Sequence, residues 1–151
     1  MHYRIGILTE GETRREARAN AVAFADELVT RGEYDFYDAH RARTYKLVSE
    51  LGKKAVAGAL AANRREFDTA LRAVKLMLQE FTDEQIYQDD YPPEPREYYA
   101  SRYEFTQVGD GHCYLYGDNA VWGEKIRNDK DYQAATADHD HLWVTCMGFH
   151  N

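Results

Sequence analysis

The sequence contains few cysteines and no long apolar run. Its 151 residues include two cysteines, Cys113 and Cys146, whereas small secreted domains are commonly held together by four or more. We therefore expect both thiols to be reduced, in a cytoplasmic protein. No segment approaches the roughly 18 consecutive apolar residues of a membrane helix, and the first residues hold too short an apolar run for a signal peptide. The sequence thus predicts a soluble protein that does not enter a membrane.

Motifs that specify one chemistry are also missing. The sequence has no GxxxxGK[ST] phosphate loop, no paired CxxC and no HExxH, which are the patterns of phosphate and zinc sites. It has two serines, Ser49 and Ser101, and neither lies in the GxSxG turn that exposes a nucleophile. The sequence therefore favours a non-enzymatic protein over an enzyme.

Negative charge predominates, and it is unevenly distributed. The formal net charge is −7, which argues against indiscriminate binding to nucleic acid. Residues 1–79 contain 14 Lys and Arg against 11 Asp and Glu, whereas residues 80–151 contain 5 against 15. Such segregation marks a partner-facing surface, or it arises where mixed-charge helices precede acidic loops. We expect another protein as the partner and do not expect nucleic acid.

The first third of the chain predicts a strand followed by a capped helix. Tyr3–Leu8 contains two β-branched residues and ends at a turn-like Glu-Gly-Glu, as short strands do. Thr13 and Glu16 have the spacing of a capping box. Apolar residues then recur every three or four positions up to Gly32. This periodicity predicts a helix over residues 14–31.

The middle of the chain predicts a short strand and then helices. Residues 33–39 alternate aromatic and polar side chains, which favours a second strand. Residues 41–81 have a helical composition. Gly52 and Gly58 each disfavour a helix interior by about 1 kcal/mol, so a break near Asn63 is expected, giving two antiparallel helices.

Three prolines fall within four residues and mark a connector. Pro92, Pro93 and Pro95 lie in residues 89–96, where each proline forces the preceding residue toward extended geometry. Beyond them, residues 98–108, 112–116, 120–126 and 142–149 predict strands separated by Gly-Asp and Asp-Asn turns. Residues 129–136 predict a short helix or a loop.

These elements predict one α+β domain spanning residues 1–151. It would be helix-rich over 1–88, with a connector at 89–96 and a strand-rich part at 97–151. The expected architecture is an N-terminal strand and about three helices, packed on a mainly antiparallel sheet that comes largely from the C-terminal third.

Histidine and cysteine side chains are concentrated near the end of the chain. His139 and His141 are two residues apart, so an extended segment would project both to one face. Zinc accepts such ligands and takes others from elsewhere in the fold. The candidate metal ligands are His139, His141, Cys146 and His150, with His112 and Cys113 as further donors. The alternative is a polar, exposed loop leading into the last strand.

Tyrosine is abundant around the proline connector. The chain has twelve tyrosines, and this side chain combines a large apolar face with a polar tip, which binding surfaces favour. Neighbouring carboxylates would make the surface acidic. The candidate partner-binding residues are Asp89, Asp90, Tyr91, Tyr98, Tyr99 and Tyr103. The alternative is that these tyrosines pack against the helices and the sheet.

Three functional hypotheses follow from these features. The first is a small non-enzymatic binding protein with an acidic, tyrosine-rich partner surface, such as an inhibitor or a nucleic-acid mimic. The second is a metal-binding domain or metal-dependent hydrolase that uses the C-terminal histidines and cysteines. The third is a nucleic-acid binder that uses basic helix residues between 41 and 65.

Overall fold

The computed structural model describes residues 2–88, 113–117 and 125–151, and within them the protein has an α+β fold. No helix in these ranges has both the length and the apolar composition to span a bilayer. In chain order the elements are β1 (His2–Glu10), α1 (Arg14–Thr30), β2 (Phe36–Lys46), α2 (Glu50–Glu80), α3 (Asp83–Gln88), β3 (Leu115–Gly117), α4 (Asp129–Thr136) and β4 (Leu142–His150).

The four strands form one mixed sheet in the order β2-β4-β1-β3. The last strand, β4, lies between β2 and β1 and is antiparallel to both, while the short β3 is parallel to β1. Two strands therefore come from the first 46 residues and two from the C-terminal part. Because β1 and β4 pair along their whole length, from His2 opposite His150 to Glu10 opposite Leu142, the sheet depends on residues from both ends of the sequence.

Helix α1 covers one face of the sheet. Its predicted cap is confirmed, because the Thr13 hydroxyl accepts a hydrogen bond from the Glu16 backbone N–H at 3.2 Å. The Glu16 carboxylate accepts from the N–H of Glu12 at 2.9 Å, so the reciprocal bond of the capping box reaches one residue further back than the pattern predicts. The helix buries a stripe spaced three and four residues apart, Ala17, Ala21, Phe24, Ala25 and Leu28. This stripe packs on alternate residues of the central strands, including Ile5, Ile7, Met147 and Phe149.

The first part of α2 and helix α4 cover part of the opposite face. Val56 and Ala135 belong to a second apolar cluster with Leu8, Leu115, Ile126 and Val144. Asn63 connects α2 to Tyr114 and Ile126, which precede and follow residues 118–124 in the sequence. Its side-chain amide donates to the Ile126 carbonyl at 2.9 Å, and its side-chain oxygen accepts from the Tyr114 N–H at 2.7 Å.

Two predictions for the middle of the chain were wrong. Residues 41–46 belong to β2 and not to a helix, because they pair with Trp143 to Cys146 of β4. The expected break near Asn63 does not occur, since α2 runs unbroken from Glu50 to Glu80. Gly52 lies in the first turn of α2, where the helix approaches the end of β2 closely. A Cβ there would lie 2.1 Å from the Lys46 carbonyl oxygen.

The chain forms two compact units. One comprises Met1–Asn63 and Cys113–Asn151 and contains the sheet, and the other comprises Arg64–His112. In the second unit, Ala70, Val74, Met77 and Phe81 are buried at helical spacing. The predicted strand at 98–108 and most of the predicted strand at 120–126 lie outside the described residues, and Lys125 of the latter forms an isolated antiparallel bridge with Tyr116.

Candidate functional site

The face of the sheet opposite α1 is covered by α2 and α4 over one half and is exposed over the other half. Because residues opposite one another in paired strands project to the same side, the register assigns the exposed half to alternate positions of three strands. It consists of His2 and Arg4 of β1, Gly148 and His150 of β4, and Phe36, Asp38 and Arg43 of β2, and the buried Gly6 and Cys146 form its border with the covered half. We call this set the open half-face. It is about 10 Å across the strands and about 13 Å along them.

At two positions in and beside the open half-face, glycine leaves the sheet without a side chain. A Cβ at Gly148 would lie 3.1 Å from the His2 ring, and a Cβ at Gly6 would lie 3.2 Å from the Leu115 side chain. Since both distances are tighter than ordinary contacts, a side chain at either position would displace its neighbour. The absence of side chains here lets the His2 ring lie across β4 and leaves a shallow surface between the flanking strands.

Three rings form a continuous cluster at one end of the open half-face. Phe36 stacks on His150 with ring centroids 4.2 Å apart and an angle of 9° between planes. His150 in turn meets the edge of His2 at 4.2 Å and 70°, and their nearest ring nitrogens are 2.9 Å apart. Phe36 is 55% exposed although it is a large apolar side chain. A stacked, solvent-facing ring of this kind is typical of a binding surface.

An arginine lies on each of the two outer strands of the open half-face. Arg4 of β1 and Arg43 of β2 are exposed, and neither forms an ion pair with a carboxylate among the described residues. Arg4 lies beside the Cys146 thiol, where its positive charge partly opposes the rise in pKa that burial imposes on that thiol. Asp38, the single carboxylate of the set, is 3.5 Å from the Arg41 guanidinium. Counted over the described residues, the open half-face therefore carries two guanidinium groups against one carboxylate, in an acidic protein.

A bulge shapes the outer edge of the sheet next to this face. Asp38 pairs with Gly148 and Arg43 with Cys146, so four residues of β2 lie opposite one residue of β4. The Asp38 carboxylate accepts from the His40 and Arg41 N–H groups at 3.0 and 3.3 Å. A bulge and charged side chains both hinder pairing of an edge strand with another chain.

The same bulge borders a shallow groove of about 360 Å³. The groove is lined by Val29, Phe36, Tyr37, Asp38, Ala39 and His40. Its wall is fixed to α1, because the Arg18 guanidinium donates to the Ala39 carbonyl at 2.7 Å and the Tyr37 hydroxyl donates to Asp26 at 2.6 Å.

The predicted metal ligands do not form a set. His139 contacts Glu10 near the start of β4, whereas His150 contacts His2 at its end. These two ends are about 26 Å apart along the strand. Cys146 lies between them and is buried, and His141 is exposed. Across residues 2–88, 113–117 and 125–151, no three His, Cys, Asp or Glu side chains are grouped so that they could hold a metal ion.

The two thiols are buried and poorly nucleophilic. Burial raises the pKa of both Cys113 and Cys146, so both are protonated near neutral pH, and a thiol attacks far more slowly than a thiolate. The Cys113 Sγ donates to the Leu115 carbonyl at 2.9 Å. The two cysteines are free and not joined in a disulfide. His112 lies outside the described residues.

The predicted partner-binding residues, Asp89, Asp90, Tyr91, Tyr98, Tyr99 and Tyr103, also lie outside the described part of the chain. Sequence reasoning missed the open half-face except for His150 and the bordering Cys146, which were assigned to a metal site. One signal was available, since His2, Arg4 and Gly6 alternate with the buried Ile5 and Ile7 and therefore share the opposite face. The contributions of Phe36 and Arg43 could not be found, because they depend on how β2 pairs with β4.

No protein-family model, no curated protein and no solved structure matches the chain.

Proposed function

We propose that this protein is a non-catalytic binding protein that engages its partner through the open half-face. One observation carries the proposal. Half of a sheet face carries an exposed, stacked aromatic ring and two arginines that have no carboxylate partner in the described part of the chain. Exposed aromatic and arginine side chains are the residue types enriched where proteins bind partners.

The chemistry of the other groups supports binding over catalysis. The two thiols of this unit, Cys113 and Cys146, are buried and protonated. The open half-face itself presents rings and guanidinium groups on a shallow floor. These groups suit recognition of a flat, negatively charged partner better than they suit bond cleavage.

The acidic, tyrosine-rich segment is proposed as a further contact surface for a protein partner. This proposal rests on the sequence, where Asp89, Asp90, Tyr98 and Tyr99 lie in the acidic part of the chain. It is independent of the open half-face and can be tested separately.

An affinity experiment with paired variants tests the proposed function. Wild-type protein is immobilised beside a face variant, Phe36→Ala with Arg43→Gln, and a control variant, Leu51→Ala with Lys54→Gln. The control removes the same kinds of exposed side chain from α2, since Leu51 is 58% exposed and Lys54 is exposed. A fourth sample replaces Asp89, Asp90, Tyr98 and Tyr99.

We expect at least one component of a native lysate to bind wild type and the control but not the face variant. A component lost only with the fourth sample would assign it to the acidic segment. Identical binding by all four proteins, each with an unchanged melting temperature, would contradict the proposal.

A further inference from the structure

The open half-face combines features that select the chemical class of its partner. We infer that it binds single-stranded nucleic acid, by stacking a base on Phe36 and contacting backbone phosphates with Arg4 and Arg43. This inference rests on the proposed binding function and names its partner.

Charge complementarity is the first argument. Arg4 and Arg43 lie on the two outer strands of the open half-face, about 12 Å apart, and Asp38, on the same strand as Arg43, has Arg41 as a partner. Phosphate contacts by Lys and Arg supply most of the affinity of nucleic-acid binding that does not depend on sequence. The net charge of −7 led the sequence-based reasoning away from nucleic acid, but that value is a sum over the whole chain and the open half-face is locally positive.

The stacked rings provide the second argument. His150 supports one side of Phe36 at 4.2 Å with nearly parallel planes, and 55% of Phe36 remains exposed. Every nucleobase has a flat π-face that can stack on such a ring, and this contact tolerates any sequence. In a duplex those faces are already stacked on neighbouring bases, so a single strand is the form that the ring can engage.

The sheet geometry disfavours an acidic peptide as the occupant. An extended peptide binds a sheet by adding a strand at its edge. Strand β4 pairs with β1 on one side and with β2 on the other, so its backbone groups are used within the sheet. At the edge formed by β2, the bulge between Asp38 and Arg43 interrupts the regular pattern of hydrogen-bonding groups. Along β2 the open half-face thus offers ring and charge contacts without a continuous backbone template.

Direct binding measurements test the inference. The probes are fluorescein-labelled ten-nucleotide oligouridine and oligothymidine, a duplex of equal length and an acidic decapeptide, each titrated with the full chain while anisotropy is followed. The two single strands distinguish RNA from DNA, and binding of either supports the inference. We expect both to bind more tightly than the duplex and the peptide.

Variants then assign binding to the face. We expect Phe36→Ala to weaken single-strand binding at least about fivefold, and Phe36→Tyr to retain it, since the ring remains. Arg43→Gln should reduce the slope of log affinity against log salt by about 0.7, the contribution of one phosphate contact on a single strand. Leu51→Ala and Lys54→Gln are the matched controls and should behave as wild type.

Three outcomes would overturn the inference. They are the absence of oligonucleotide binding at low salt, equal weakening by Lys54→Gln and Arg43→Gln, and tighter binding of the acidic peptide than of either single strand. If the face variant loses lysate components that wild type binds, while no oligonucleotide binds, the proposed function stands and this inference fails. If the face variants bind lysate components and oligonucleotides as wild type does, both fail.

Discussion

Gly52 and Gly58 occupy the same helix but have opposite structural roles. Sequence reasoning treated both as helix breakers, because glycine lacks the helix propensity of alanine. In the structure a Cβ at Gly52 would overlap the Lys46 carbonyl oxygen at 2.1 Å, whereas a Cβ at Gly58 would meet nothing within 4 Å. Gly52 is therefore required by close packing, and Gly58 is not.

This difference gives a paired prediction. We expect Gly52→Ala to lower the free energy of unfolding by about 2 kcal/mol or more, because the helix must move away from β2. Gly58→Ala should raise the free energy of unfolding by about 1 kcal/mol through helix propensity alone. Urea denaturation followed by circular dichroism measures both. Equal effects of the two substitutions would show that α2 does not approach β2 closely.

A buried pair of threonines joins β2 to β4. The Thr44 and Thr145 hydroxyls are 2.9 Å apart, and their exposures are 6% and 0%. Each hydroxyl is the hydrogen-bonding partner of the other in a buried site. Such a pair contributes little net stability when intact, but breaking it is costly because one hydroxyl is left unpaired.

We therefore expect Thr145→Val to lower the free energy of unfolding by about 1–2 kcal/mol. The double variant Thr44→Val with Thr145→Val should recover most of that loss, since no hydroxyl is stranded and valine suits a strand. A double-mutant cycle from urea denaturation measures the coupling. Additive losses in the double variant would show that the hydroxyls do not interact.

At the scale of elements, Asn63 explains why α2 is continuous where a break was predicted. Asparagine is a poor helix former when its side chain competes for the backbone of its own helix. Here the side chain instead bonds to the backbone of Tyr114 and Ile126 and is 7% exposed. The long-range contacts that Asn63 makes offset its low propensity.

Replacing Asn63 should loosen these contacts. We expect Asn63→Ala to lower the free energy of unfolding by about 2 kcal/mol, because the Tyr114 N–H loses the Asn63 oxygen and the Ile126 carbonyl keeps only the weak Cys113 thiol donor at 3.5 Å. Amide exchange at Tyr114 should accelerate as well. Lys54→Ala, at an exposed position of α2, is the control and should change neither quantity. Unchanged exchange at Tyr114 in the Asn63 variant would contradict the assigned contact.

At the scale of the whole molecule, two buried tyrosines and one half-buried tyrosine link the fold to pH. Burial raises the pKa of Tyr34, Tyr37 and Tyr116, and for Tyr37, where the Asp26 carboxylate contributes, the pKa rises to about 12. Tyr34 and Tyr116 share a hydrogen bond at 3.2 Å, and Tyr116 also donates to Glu33. These phenols attach residues 33–37 to α1 and to β3, so their ionisation acts on several elements together.

The sign of the effect follows from the direction of the pKa shifts. A phenol whose pKa is higher in the folded state stabilises that state fully below its unfolded value of about 10, and the stability is lost as pH rises toward the folded value. We expect the free energy of unfolding to fall above about pH 10. Tyr37→Phe should reduce this dependence between about pH 10 and pH 12, and Tyr87→Phe, at an exposed position, should keep the wild-type slope. A wild-type slope in Tyr37→Phe would contradict the prediction.

The sequence by itself determined the α+β class and the elements whose signals are local. Helix α1 was predictable because its cap and its apolar stripe lie within one stretch of 18 residues, and β1 and β4 because their β-branched and aromatic residues favour strands in any context. The predicted helix-or-loop at 129–136 is α4, which Asn128 caps by accepting from the Asp131 N–H.

Only the tertiary structure decided how far β2 extends, whether α2 continues and which side chains share the open half-face. Residues 41–46 form a strand because β4, a hundred residues later, supplies their hydrogen-bonding partners. The open half-face joins Arg4, Phe36 and His150, which are far apart in the chain and meet only through strand register. The alternation along β1 is visible in the local sequence, but pairing between distant strands is not, and for that physical reason composition and spacing could not join β1 to the β2 and β4 residues of the site.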